Sequence, residues 1–535
     1  MNQLWRLVGK ERAAWILVSL AVALYTGIII RTAWLGDDAY ITLRTVDNWV
    51  SGYGLRWNVA ERVQSYTHPL WLMFISGLYA LTHEAYYTLV VLSLSVSILA
   101  VLCLCHQAAS WPAALVGVVL LTTSKSYVDY STSGLENPLA HLLLLLLWGM
   151  YVSSKTATAQ RVGTLAFLGS LIALTRLDLV LLVLPLFLHA AWSAARGGRL
   201  LWWMRWTALG LTPLFVWESF SIIYYGVPVP NTAYAKLNNS GQSASALARQ
   251  GLYYLRHSLQ SDPVALVALA AAAAITLWQR RPHFAAVMAG MVLYSLYIVR
   301  IGGDFMTGRF LTVCVLGAVF VLSRLAWSLP AAFVASAGIL LASFLALPQT
   351  PLRATSEDGV TPAGDYLKHR GIADERAYYA KRNGLFSQQR IAPRHGWVGR
   401  EDLRPRCVHH TQFFAVNAFT AGPAVHIIDF LGLSEPLLPR LPAKAVVFFR
   451  VGHVQREIPP GYVETVATGR VEICDPALAK YYERLHLVIS GPLFTRERFE
   501  AIWQLNTGQL DYLPDQYVPG QACVTADDTS GTCRS

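Results

Sequence analysis

Long apolar runs separated by short polar breaks fill the first two thirds of the chain. A run of roughly 17–25 apolar residues crosses a bilayer as a helix. The runs at 13–35, 84–107, 111–124, 138–153, 163–175, 177–193, 206–225, 263–279, 283–301, 310–323 and 330–347 predict about eleven such helices. Several are short for a bilayer, so 163–175 and 177–193 are expected to be tilted or partly re-entrant. The first run is too long for a signal-peptide core and ends without a small-residue cleavage site, so it reads as a retained helix.

The pattern changes after Pro348. Polar and apolar residues mix, with Pro and Gly turns. Short β-rich runs at 425–430, 445–450 and 486–490 alternate with helix-like stretches at 363–370 and 476–485. The pattern predicts a polytopic α-helical membrane region over 1–347 and an α/β or α+β domain over 348–535.

Charge orients this arrangement. Lys155 and Arg161, then Arg196, Arg199 and Arg205, then Arg280 and Arg281, then Arg324 fall in alternate connections. By the positive-inside rule these connections and the N-terminus face the cytoplasm. The segments 36–83, 125–137, 226–262 and 302–309, and everything after Pro348, then lie outside it. Composition agrees: the 535 residues are 54% hydrophobic and 14% charged, against about 25% charged in soluble domains. The net charge of +11 is spread through these clusters rather than gathered in one stripe, which argues against nucleic acid as a partner.

Candidate chemistry concentrates in the outer segments. Asp37 and Asp38 stand where the first helix ends. Adjacent carboxylates repel each other, so one can serve as a base while its neighbour binds a cation or a sugar hydroxyl. The alternative is a solvated helix cap, since 39–50 looks helical. Tyr40, Arg44 and Asp47 follow at helical spacing, and Trp49, Tyr53 and Trp57 offer either a sugar-stacking surface or an interface belt. Glu61, Arg62 and His68 precede an amphipathic segment at 69–82. Glu136 opens a membrane helix, where a carboxylate also suits the helix dipole. Arg176 and Asp178 interrupt two apolar runs; they line a cavity or form an ion pair, Arg176–Asp178 or Arg176–Glu136. Asn231 and Lys236 follow a proline-broken helix end, and Asp304 and Arg309 follow Gly302 and Gly303. Lys236 and Arg309 suit phosphate, the arginine through its planar fork.

Cys407, Cys474, Cys523 and Cys533 lie in the outer tail, where thiols pair. Cys523–Cys533 closes a short loop, which leaves Cys407–Cys474 by elimination. The string CVHH at 407–410 lacks a second ligand pair at zinc spacing, so no metal site is assigned. No cofactor is required by these residues, although the first-loop carboxylates are compatible with a divalent cation.

The strings GDDAYITLR, ERVQSYTHPLW, SGLENPL, YYGVPVPNTAYAK and GGDFMTGRF resemble those of membrane glycosyltransferases of the GT-C class. They are most similar to the AftB family of terminal arabinofuranosyltransferases of mycobacterial cell walls, and the TfpW-type pilin arabinosyltransferases look related. The likeness continues through GIADERAYYAKRNGLF, HIIDFLGLSEPLLPRLP, VGHVQREIPPGY and YYERLHLVISGPL. It implies a polyprenyl-phosphate arabinofuranose donor, an extracytoplasmic glycan or pilin-type acceptor, and a bacterial inner-membrane location. It also implies that the catalytic acid is Asp37 or Asp38, and that the GGD aspartate and its following arginine are Asp304 and Arg309. The chain departs at Leu177, where the family pattern has proline, and at Asn137, where it has threonine. Position in the loop favours Asp38 slightly over Asp37. A transporter or flippase of a lipid-linked sugar is the alternative, but polar residues crowd at one membrane face and no duplicated half is visible. The tail is expected to bind or orient the acceptor.

Overall fold

The computed structural model describes residues 2–153, 158–195, 200–237, 241–355, 369–396, 407–411, 415–444 and 450–517. Helices occupy all eleven apolar runs. Among the described residues, three helices, Tyr86–Gln107, Pro282–Ile301 and Leu329–Ala346, are long and apolar enough to cross a membrane by themselves. Two further spans result if each bent pair counts as one. The run expected at 206–225 is such a pair, Leu201–Gly210 and Thr212–Tyr224, bent by 55°. Pro213 follows the break, and a proline in a first turn starts a helix rather than continuing one. The polar segment 226–262 contains the helix Ala244–Ser261, which turns by 106° into the next apolar helix, Pro263–Gln279.

Two compact units make up the chain, and they are interleaved in sequence. The first unit takes Met1–Gly36, Leu89–Leu214 and Ala244–Ala392. Its centre is the helix Thr312–Ser323, every residue of which is buried. A helix that is apolar all round needs neighbours on every side. Glycines let those neighbours approach: a Cβ on Gly290 would stand 2.8 Å from the Leu182 carbonyl, and one on Gly251 would stand 2.5 Å from the Val299 carbonyl. Side chains of Ser110, Thr158, Asp262 and Ser328 cap their helices, three of which carry a proline in the first turn.

Residues beyond the expected boundary at 347 pack within this first unit. Ala373 donates its N–H to the Phe305 carbonyl at 2.8 Å and accepts that of Thr307 at 2.9 Å. Asp374 pairs with buried Lys125 at 3.0 Å, and Lys125 also grips Asp129, whose other oxygen lies 3.6 Å from Arg376.

The second unit takes Asp37–Thr88, Phe215–Ser243 and Pro393–Ser535. Two parallel strands, Cys407–Thr411 and Val425–Asp429, pair with Cys407 opposite Val425. The strand expected at 425–430 is therefore present, while most of the one expected at 445–450 lies outside the described residues, as does most of the helix expected at 363–370. The strand expected at 486–490 is instead the last turn of the helix Pro476–Ser490. Its buried positions, Leu478, Tyr481, Tyr482, Leu485, Val488 and Ile489, recur every three to four residues, and this helical period overrides a short apolar run. Leu437, Leu438, Tyr462 and Ile428 complete the core beside them.

Candidate active site

The expected site residues fall into two groups, one in each unit. In the second unit the helix Asp37–Val50 begins on the paired aspartates. Asp37 accepts the backbone N–H of Ala415 at 2.8 Å on one oxygen and that of Val416 at 3.1 Å on the other. Asp37 thus holds the first turn of the short helix Ala415–Ala421. Burial raises the Asp37 carboxyl to about 7; the two amides oppose this and the neighbouring Asp38 adds to it. A carboxyl so placed has a fixed orientation and exchanges its proton near neutral pH. Each of its oxygens keeps lone-pair capacity beyond the amide it accepts.

The rest of this group is more structural than the sequence indicates. Tyr40 donates its hydroxyl to the Pro393 carbonyl at 3.1 Å and packs edge-on against Phe419. Arg44 is fully buried; it donates to the carbonyls of Trp57, Ala418 and Val425 and lies 4.7 Å over the Trp57 ring. Trp57 is itself buried, so it offers no stacking surface. His68 bonds Thr42 at 2.8 Å through Nε2 and Thr67 at 3.3 Å through Nδ1. Asn231 gives its amide to the carbonyls of Gly432, Leu433 and Glu435. Lys236 is exposed near the end of the helix Asn231–Leu237.

The second group lies in the first unit. Glu136 is fully buried at the start of the helix Asn137–Val152. Its Oε1 takes Arg176 Nη1 at 3.3 Å and Arg309 Nη2 at 3.0 Å. Arg176 also grips Asp178 with two bonds, of 3.0 and 2.6 Å, and lies 4.5 Å over the Phe310 ring. Both ion pairs weighed for Arg176 are therefore formed. Asp304 lies 3.8 Å from Arg309. Gly302, Gly303 and Gly308 adopt φ of 88°, 80° and 73°, a region that glycine reaches without strain. A Cβ at Gly308 would also meet the Ser126 hydroxyl at 2.3 Å. This turn is what brings Arg309 back to Glu136.

One cluster has little signal in the sequence. Glu61 accepts Asn58 Nδ2 at 2.9 Å and lies 3.5 Å from His426 Nε2; Glu435 accepts the Tyr462 hydroxyl. All are buried in the second unit. Burial, then repulsion from Glu435, raises Glu61 to about 8, and burial raises Glu435 to about 7. Burial holds His426 at about 3, so the imidazole is neutral, and its Nε2 accepts the Asn58 side-chain amide at 3.2 Å. Residues 61 and 435 are far apart in sequence, and their local spacing does not signal burial.

Cys474 is disulfide-bonded. The Cys407 side chain, Cys523 and Cys533 lie outside the described residues. Among the described residues, no three His, Cys, Asp or Glu side chains converge as a metal site.

No family model matches the sequence. The chain is similar to the terminal beta-(1->2)-arabinofuranosyltransferase of Mycobacterium tuberculosis, 27% identical over 437 residues, which cover 69% of this chain and 66% of that protein. It is similar also to the terminal beta-(1->2)-arabinofuranosyltransferase of Corynebacterium glutamicum, 29% identical over 335 residues, 52% of this chain and 46% of that protein. The chain thus spans about two thirds of the length of one relative and about half of the other. Both relatives carry transferase names, so the comparisons do not favour a transporter.

Proposed function

We propose that the chain is a membrane glycosyltransferase that moves arabinofuranose from a polyprenyl-phosphate donor to a glycan or protein acceptor outside the cytoplasm. The observation that carries this reading is the similarity to two proteins named for arabinofuranosyl transfer, joined to a carboxylate pair at the position where the resemblance expects the catalytic acid. The reading includes the inner membrane, a cytoplasmic N-terminus, about eleven spans, and a region after 347 that faces outward.

In this reading the acceptor hydroxyl attacks the anomeric carbon and the bond from that carbon to the phosphate oxygen breaks. The phosphate leaves with the electron pair, and the hydroxyl proton passes to a carboxylate. Asp37 is the assigned proton acceptor, because its two amide bonds fix its orientation and its proton exchanges near pH 7. Asp38 is assigned to a sugar hydroxyl or a cation. Arg309 and Arg176, in the first unit, are assigned to phosphate binding, and a phosphate would compete with Glu136 for their N–H groups.

The test is transfer in vitro from synthetic polyprenyl-phosphate pentoses to a panel of glycan and pilin-type acceptors, with NMR of the product. Arabinofuranosyl transfer is expected, and Asp37→Asn with Asp38→Asn is expected to lower it by about 10²–10⁴-fold. Full activity of that double variant overturns the catalytic assignment. Absence of transfer from every lipid-phosphate sugar overturns the function.

A further inference from the structure

We infer that the helix Arg496–Asn506, far out in the tail, lies in the lipid headgroup layer and anchors the second unit to the membrane surface. The inference rests on the reading of Thr212–Tyr224 as part of a membrane span. It needs no assumption about the reaction.

Three hydrogen bonds tie the tail helix to the outer end of that span. The Arg498 guanidinium donates to the Ile223 carbonyl at 2.7 Å and to the Tyr224 carbonyl at 3.0 Å. These are last-turn carbonyls with no partner inside their own helix. Asn506 donates to the Gly226 carbonyl at 2.7 Å. Gly226 has φ 79°, and a Cβ there would stand 2.2 Å from Val488 and 3.2 Å from Ile502 of the tail helix. Arg498 is fully buried, and it donates also to the Val488 and Leu493 carbonyls. The two helices are therefore held together by side-chain bonds to backbone carbonyls and by close packing.

Both helices then present apolar residues outward. On the span, Phe215, Val216, Ile222 and Ile223 are exposed at helical spacing, the pattern of a lipid-facing stripe. On the tail helix, Phe499 is 41% and Trp503 is 66% exposed, and Phe494 just before it is 76% exposed. Positions 496, 499, 500 and 503 share one face. Arg496 and Glu500 on that face pair with each other at 2.8 Å, which reduces the charge presented there. Glu497 sits in the first turn, beside the positive end of the helix. Exposed Phe and Trp with neutralised polar neighbours, joined to the exit of a span, match the interfacial belt of membrane proteins.

The test places an environment-sensitive fluorophore on Phe499→Cys, Trp503→Cys and, separately, Phe494→Cys, in the full chain reconstituted into lipid nanodiscs. Mock-labelled parent protein gives the background from native cysteines. Immersion predicts blue-shifted emission, quenching by roughly half or more with lipids spin-labelled near the headgroup, and weak quenching by aqueous iodide. Water-like emission with strong iodide quenching overturns the inference and leaves the face free for an aqueous ligand. Shielding from both quenchers also overturns it, because a protein partner then covers the face. Transfer activity of the labelled proteins, measured in parallel, separates failure of this inference from failure of the proposed reaction.

Discussion

Asp37 is held by two backbone amides and yet keeps a carboxyl that titrates at about 7. The value of the free group is 3.8, so between the two values the folded protein keeps a proton that the unfolded chain has lost. The stability this contributes is present at low pH and is lost as pH rises through about 7, while the ionised fraction of the proposed base grows. Transfer rate is therefore expected to rise with pH and level off above about 7, and Asp37→Asn is expected to remove that limb; a pH–rate profile of both proteins checks this. The same sign applies to Glu61 and Glu435, raised to about 8 and about 7. Thermal stability is expected to fall between about pH 5 and about pH 8.5, and Glu61→Gln to flatten the slope, read by melting curves across that range. Arg309 shares a buried carboxylate with Arg176. Arg309→Met leaves that charge less well paired and is expected to cost about 3 kcal/mol in stability, whereas Arg309→Lys keeps the charge and loses the fork. If Arg309 also holds phosphate, the lysine variant raises the donor KM more than it lowers the melting temperature, and steady-state kinetics beside a melt separate the two effects.

Elements are set at their ends by local residues: the structure shows Ser110, Thr158, Asp262 and Ser328 as caps, with prolines in several first turns. How closely the elements approach depends on glycines. Gly290 lets the helix Pro282–Ile301 rest on Leu182 of the helix Val180–Ala195. Gly290→Ala must push these helices apart and is expected to cost about 1–3 kcal/mol. Gly27→Ala, in a helix where nothing lies within 4 Å, is expected to be neutral or mildly stabilising. Melting both variants in detergent gives the comparison; an equal loss in each would refute the packing role of Gly290.

At the scale of the molecule, change in composition and boundary of contact do not coincide. Hydropathy changes near residue 347, but residues up to 392 belong to the first unit. Asn383 accepts the Leu35 N–H at 3.3 Å and donates its side-chain amide to the Leu35 carbonyl at 3.0 Å, and Asp374 pairs with Lys125. A chain ending at residue 354 is therefore expected to lose the melting transition of the first unit, and a chain ending at 392 to keep it. Size-exclusion profiles and melts of the two truncations check this.

The apolar runs and the positive clusters are local signals, so the sequence alone determined that this is a many-helix membrane protein with its unusual residues in a few polar breaks. It also carried the resemblance to arabinofuranosyltransferases, because GDDAYITLR and GGDFMTGRF are contiguous strings. What each polar side chain does was decided by tertiary structure. Arg44 and Asn231 look like ligands of a substrate in the sequence, but carbonyls hundreds of residues away take their N–H groups. The Glu61–Glu435 cluster and the division at 392 likewise arise from contacts between distant segments. A buried polar group must find a partner, and sequence spacing does not say which distant backbone will supply it.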